Sequence, residues 1–287
     1  MPIDERRRPD WADLPYASQS EAQKLDIYLP ADRIIDKPLP VIIAIHGGAF
    51  AFGDKADNYT LAPILHANTR GYAVVSINYR LSGEAQFPAP IYDVKAAIRF
   101  LRANASTYQL DPDRIALWGE SAGGSLAALA GTSGGIAALE DLSMGNGHVS
   151  SRVQAVVDWY GPIQFDAMDD QFRLSGIGKP DHGAADSPES RYLGGTLADV
   201  PDLVRQASAQ TYVAADAPPF FIQHGTADVL IPVEQSMNFA AALERAIGAD
   251  QVALLLLEGA GHGGPAFTSP DNTALVLAFL GSHLRGI

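Results

Sequence analysis

The sequence predicts an α/β fold in which a mostly parallel central sheet is covered by helices on both faces, and three observations predict it. Apolar runs of strand length alternate with segments of helical period along most of the chain, the pattern that builds a parallel sheet. Some of these runs are continuous and β-branched, such as Val41-Ile42-Ile43-Ala44-Ile45, as strands buried on both faces are. Residues 114–130 pass from an apolar run through Gly119-Glu120-Ser121-Ala122-Gly123 into a helix-friendly segment. That is a strand, a sharp turn and a helix, with a serine at the apex.

In chain order, residues 1–23 read as a polar N-terminal arm, anchored to the body by Trp11 and Tyr16. Residues 24–30 alternate apolar and polar side chains and predict a half-exposed edge strand ended by Pro30. Residues 41–45 are the first buried strand, which runs into His46-Gly47-Gly48-Ala49-Phe50. Residues 61–69 read as a helix closed by Gly71, and 72–77 as a second buried strand. Ile91, Val94, Ile98 and Leu101 recur at helical spacing in a helix that ends near Asn104, before an Asp-Pro-Asp turn at 111–113. Beyond the elbow, 153–158, 219–223 and Val252–Leu257 predict strands. Residues 233–247 predict a helix, and Leu277, Leu280 and Leu284 stripe a last one. Residues 163–207 break the rhythm with Gly, Pro, Asp and scattered aromatics. An irregular segment of that length inside a compact domain is usually functional, so it predicts a short cap over a site. With no repeat and no linker, one domain over 1–287 is expected.

The net charge of −13 argues against nucleic acid and against an anionic membrane surface. No apolar run approaches the roughly 20 residues of a membrane span. With no cysteine, disulfides, thiolate chemistry and Cys-based zinc sites are excluded. The basic run Arg6-Arg7-Arg8 reads as a solvated tail. Met1-Pro2-Ile3-Asp4-Glu5 carries no apolar segment of a signal peptide, so a cytoplasmic protein is expected. Asp166, Asp169 and Asp170 lack companion ligands at metal-binding spacing, and no H-E-x-x-H or phosphate-binding loop occurs. No metal or cofactor is expected.

In sheets of this kind ligands bind beyond the carboxyl ends of the strands. Ser121 follows the elbow strand, Asp228 follows the strand at 219–223, and His262 follows the last strand. Ser, Asp, His is the order of a hydrolytic triad built around such an elbow. A serine needs an adjacent base to act as nucleophile. His262 would take the Ser121 proton and return it to a leaving group. Asp228 would fix the imidazole tautomer and stabilise the imidazolium. Ser133 in Gly131-Thr132-Ser133-Gly134-Gly135 shares the spacing but follows a helix-like run. Asp158 ends a strand one place too early, and Asp216 precedes its strand. His46 and His224 read as loop-shaping hydrogen-bonders, while His66, His148, His182 and His283 are assigned no role.

With H-G-G-A-F at 46–50, N-Y-R at 78–80, G-E-S-A-G-G at 119–124, H-G-T-A-D at 224–228 and G-A-G-H-G at 259–263, the chain resembles the α/β-hydrolases of the esterase/lipase type. It is most similar to the hormone-sensitive-lipase-like carboxylesterases, near the small bacterial esterases that include feruloyl and acetyl-xylan esterases. The resemblance runs from about Lys24 to the C-terminus. It departs where Ala49 replaces a frequent third glycine and Glu120 a frequent aspartate. It implies an α/β-hydrolase fold with a short cap, and a serine carboxylesterase that hydrolyses short-chain esters through an acyl-enzyme. It also implies oxyanion donors from backbone N–H groups: Gly48 with Gly47 or Ala49, and Ala122. Losing one such donor typically costs about 100- to 1000-fold in rate. Among the aromatics, Phe50, Phe52, Trp159 and Tyr160 are expected to line the substrate site. The expected partner is a small-molecule ester, and family habit suggests a homodimer paired through the last strand. Two other readings use the same features: an amidase or formamidase with the same triad, and a non-catalytic binding protein of the same fold. If His262 is the base, activity falls below a pKa near that of histidine, roughly 6.5 before perturbation.

Overall fold

A computed structural model gives the structure of residues 8–34 and 37–285. The strands are β1 (Trp11–Pro15), β2 (Lys24–Tyr28), β3 (Leu39–Ile45), β4 (Ala73–Ile77), β5 (Leu110–Glu120), β6 (Ala155–Trp159), β7 (Phe220–Gly225) and β8 (Val252–Leu257). They form one sheet in the order β1-β2-β4-β3-β5-β6-β7-β8. From β4 to β8 neighbours run parallel, while β1 and β2 are antiparallel to their neighbours. The helices are α1 (Asn58–Leu65), α2 (Ala89–Ala103), α3 (Ala122–Thr132), α4 (Met168–Ser175), α5 (Pro188–Leu193), α6 (Pro201–Ala207), α7 (Glu234–Ile247), α8 (Pro265–Thr268) and α9 (Pro270–Leu284).

Alternation along β3 shows how the sheet divides the core. Val41, Ile43 and Ile45 pack with Ile98 of α2, Leu126 of α3 and Phe239 of α7. Ile42 and Ala44 pack on the other face with Ile64 of α1 and Leu277 of α9. All seven residues of β3 are buried, each large one contributing about 1.5–3 kcal/mol relative to exposure. The parallel strands therefore point their carboxyl ends to one edge of the molecule, where the loops after β3, β5, β7 and β8 gather.

Residues 24–30 are not a half-exposed edge. β2 lies inside the sheet, paired with β4 on one side and β1 on the other. The polar residue that suggested exposure, Asp26, is buried, with Lys55 Nζ 2.8 Å from its carboxylate and the Asp13 N–H donating to it at 2.7 Å. The N-terminal arm supplies the true edge, and its anchors hold as expected. Trp11 packs edge-on against Tyr108 and the Tyr16 hydroxyl donates to the Asn78 carbonyl at 2.7 Å. Of the Arg6-Arg7-Arg8 run, Arg6 and Arg7 lie outside the described residues. The Asp-Pro-Asp turn at 111–113 falls inside β5, as a register shift against β3, with the Asp113 N–H donating to Asp111 Oδ1 at 2.9 Å. Segment 163–207 resolves into the short helices α4, α5 and α6 with connecting turns. Among the described residues no helix is long and apolar enough to cross a membrane.

Candidate active site

The elbow has the strained geometry that its sequence predicts. Ser121, between β5 and α3, has φ 53° and ψ −122°, a region that costs a non-glycine residue on the order of 1–3 kcal/mol. The flanking glycines are dictated by close backbone approach. A Cβ on Gly119 would lie 2.1 Å from the Gly123 carbonyl oxygen, and one on Gly123 would lie 2.1 Å from that of Ile45. Ser133 is buried at the end of α3, its hydroxyl donating to the Leu129 carbonyl at 2.5 Å. It is a helix exit, as its context suggested.

The loops after β7 and β8 are bound to each other. The Thr226 N–H donates to the Leu257 carbonyl at 3.1 Å, the Ala227 N–H to that of Ala260 at 2.9 Å, and the Gly259 N–H to the Thr226 hydroxyl at 2.9 Å. Their union brings His262 Nδ1 to 2.7 Å from Asp228 Oδ2, and His262 Nε2 to 2.8 Å from Ser121 Oγ. Three residues spread over nearly half of the sequence thus stand in one hydrogen-bonded line. Asp158 and Asp216 do not join it: Asp158 bonds the Gly161 N–H, and Asp216 is ion-paired with Arg152.

Asp228 is buried, and its carboxylate is met by donors of the protein. Its Oδ1 accepts the N–H groups of Leu230 at 2.8 Å and Ile231 at 3.0 Å. His224 Nε2 lies 3.2 Å from Oδ2, beside the bond from His262. Burial by itself raises this carboxyl, but the bonds and charges of His224 and His262 outweigh it and hold Asp228 well below the usual carboxylate range. His224 is thus more than the loop-shaping residue its position suggested. It is fully buried, with Nδ1 2.7 Å from the Ser236 hydroxyl and Nε2 shared between Asp228 and the Ile231 carbonyl.

The loop after β3 faces the serine from the other side. Gly48, Ala49 and Phe50 all have positive φ, at 109°, 54° and 58°, so successive backbone amides turn toward the same region. Gly47 does not contribute a free donor: its N–H is given to Glu120 Oε1 at 2.8 Å. The N–H groups of Gly48, Ala49 and Ala122 have no acceptor among the described residues. Ala49 and Ala122 line the same cavity as Ser121. Of Gly47 and Ala49, the two neighbours left open by the sequence, only Ala49 has an N–H without an acceptor among the described residues.

That cavity measures about 690 Å³, within the ordinary range for small-molecule sites. Ser121, His262 and Phe50 line it, together with residues of segment 163–207 between Ile177 and Glu189 and with Val229, Leu230 and Ile231. Phe50 lines it as expected, held by stacking on Tyr192 at 4.0 Å between ring centroids. Phe52 does not. It is 65% exposed, because the left-handed residues before it turn the loop outward. Trp159 is on the wrong face of β6, packed edge-on against Trp118 and near Phe267. Tyr160 is not in the lining but buried, its ring 4.6 Å from that of His262. His182, given no role from the sequence, is in the lining, as are Asp181, Asp186 and Glu189. No cluster of three or more His, Asp or Glu side chains suited to a metal ion occurs among the described residues.

The parallel sheet, the strained serine elbow and the strand-end loops define an α/β-hydrolase fold. A family model described as BD-FAE matches residues 25–243, and the chain belongs to that family. It is 36% identical over 260 residues to Esterase LipC of Mycobacterium tuberculosis, a match that covers 90% of this chain and 59% of that one. Among solved structures, a truncated form of a carbohydrate esterase from gut microbiota superposes with a TM-score of 0.81 at 34% identity, over 98% of both chains. A bifunctional GH43-CE protein of Bacteroides eggerthii superposes with a TM-score of 0.82 at 36% identity, over 95% of this chain and 38% of that one. The chain spans only 51% to 59% of the length of the first curated relatives that it matches.

Proposed function

We propose that the protein is a serine carboxylesterase that hydrolyses short-chain carboxylic esters through an acyl-enzyme. The observation that carries this reading is the line Ser121 Oγ, His262 Nε2, His262 Nδ1, Asp228 Oδ2, with links of 2.8 and 2.7 Å. In the reading, Ser121 Oγ attacks the ester carbonyl as His262 Nε2 takes its proton. The oxyanion is met by the free N–H groups of Ala49 and Ala122, with Gly48 beside them. Collapse expels the alcohol, which receives the proton from His262. Water, deprotonated in turn by His262, then releases the acid and restores Ser121. Asp228 keeps the Nδ1 proton in place and balances the imidazolium.

Segment 163–207 acts as the cap that shapes the acyl and alcohol pocket within a single domain. Support comes from the residues between Ile177 and Glu189 that line the cavity. The carbohydrate esterase among the structural relatives makes acylated saccharides sensible alcohols to try. Cytoplasmic action and homodimer pairing, both expected from the sequence, stay within the proposal. β8 is a sheet edge, half-buried along its whole length, which gives pairing a place.

The experiment is an ester panel that varies acyl length and alcohol size, with a serine-directed phosphonate mapped by mass spectrometry. The reading expects the label on the peptide containing Ser121 and a preference for short acyl chains. Turnover with the label elsewhere would overturn it. Deleting part of 163–207 without altering the acyl preference would remove the cap from the account.

A further inference from the structure

His182 spans two separate parts of the cavity wall. It belongs to the cap, is only 6% exposed, and lines the cavity. Its Nδ1 lies 3.0 Å from Asp169 Oδ1 on α4, and its Nε2 lies 2.9 Å from the Leu230 carbonyl in the loop of Asp228. The Leu230 N–H in turn donates to Asp228 Oδ1 at 2.8 Å. A continuous chain of hydrogen bonds therefore runs from the cap helix through His182 to the acid of the site.

Neither acceptor on the ring has a proton to offer. Leu230 presents a carbonyl oxygen. The Asp169 carboxylate already accepts the His182 N–H at 2.8 Å and the Gly183 N–H at 3.1 Å. Burial works to raise this carboxyl, but those bonds and the imidazole outweigh it and hold it below its ordinary range. Both ring nitrogens must then donate. An imidazole donates at both positions only as the imidazolium.

The charged groups around the ring fit a cation. Asp169 faces it from α4, with Arg173 4.0 Å from the far oxygen of that carboxylate. Glu189, from α5, is 3% exposed and has an Oε2 without a partner among the described residues. Asp181 adjoins on its own segment, where Lys179 also lines the cavity. From the loop after β7 the charged group is Asp228, reached through Leu230. The Phe172 ring, 5.5 Å away between centroids, shields one face.

We propose that His182, as the imidazolium, is a positioning residue that clasps the cap to the loop carrying Asp228 and so fixes the shape of the substrate cavity. The inference rests on the esterase reading of that cavity. When the ring loses a proton it keeps one of its two bonds. The bond to ionised Asp169 is charge-assisted and the stronger of the two, so the bond to Leu230 is the one released. The clasp therefore needs both ring N–H groups. Its signature is a change in KM rather than in kcat.

The test combines steady-state kinetics on p-nitrophenyl acetate at pH 5.5 with nitrogen-15 NMR of the histidine rings. KM of His182→Gln should exceed that of the parent about fivefold, the worth of one net hydrogen bond, with kcat little changed. The NMR should show both His182 nitrogens protonated at pH 5.5. A parental KM in His182→Gln, a loss confined to kcat, or a neutral His182 ring at pH 5.5 would each overturn the proposal. If His182→Gln does not fold, the ring spectrum of the parent decides. Absence of ester turnover at every pH would sink the esterase reading instead, and the ring spectrum would still decide the state of the clasp.

Discussion

The carboxylate of Glu120 fills the space that a side chain on Gly47 would need. A Cβ at Gly47 would lie 2.2 Å from Glu120 Oε1, the oxygen that takes the Gly47 N–H at 2.8 Å. The residue before the serine thereby holds the first glycine of the facing loop, and the Thr60 hydroxyl braces the same oxygen at 3.1 Å. Burial pushes the Glu120 carboxyl up, while these two donors favour its charge.

The pairing predicts unequal effects of two substitutions. Glu120→Ala frees the loop and should lower kcat roughly 10- to 100-fold, short of or level with loss of an oxyanion donor. Glu120→Gln keeps an acceptor for Gly47 and should cost less than about tenfold. Steady-state kinetics on one short ester checks both, and equal losses would show that the bond to Gly47 does not matter.

Asp228 gives a pH prediction. Its folded-state carboxyl is held well below the ordinary range, so it stays ionised wherever the enzyme is active. Asp228 should therefore add no proton to the acid limb of the rate, whose slope should not exceed one. A slope of two would mean that the carboxyl titrates in that range. Asp228→Asn should fold and lose roughly 10⁴-fold in kcat, measurable beside an unchanged circular dichroism spectrum.

Asp158 gives a stability prediction of opposite sign. It is fully buried, Oδ2 has no partner among the described residues, and burial pushes its pKa up to about 6 despite the Gly161 N–H. An unfolded aspartate ionises near 3.9. The contribution of this group to stability is fully present below that value, declines as pH rises toward 6, and stays lost above it. Asp158→Asn keeps the acceptor for Gly161 and removes the buried charge. Its Tm should exceed that of the parent by roughly 2–6 °C at pH 8, with the difference shrinking at pH 4. A lower Tm at pH 8 would count against the assignment.

The cavity lining also predicts a charge preference. Asp181, Asp186 and Glu189 in it outnumber Lys179 and the His182 imidazolium. An ester bearing a carboxylate should show about tenfold lower kcat/KM than its neutral counterpart of the same size, and added salt should narrow the gap. Equal rates at low salt would show that these groups do not sense the substrate.

Much of this was legible in the sequence because local sterics left traces there. β3 and β4 are read from runs that must be apolar on both faces, and the elbow from glycines that sit against backbone. The misses have non-local causes. Residues 11–15 form a strand only because β2 offers an edge, and Asp26 is buried only because Lys55 lies across from it. Trp159 was within reach: counting by two along β6 puts it with Val157 on the face away from α3. Phe52 was not, since its direction depends on two left-handed residues before it. Nor was His182, whose partners on α4 and beyond β7 are brought to it only by the fold.

The account stands or falls on Ser121 as the nucleophile. Purified parent and Ser121→Ala should be compared on p-nitrophenyl acetate under matched conditions, with folding of the variant confirmed. The account predicts a loss of kcat of at least about 10⁴-fold. Hydrolysis at the parental rate by Ser121→Ala would contradict it.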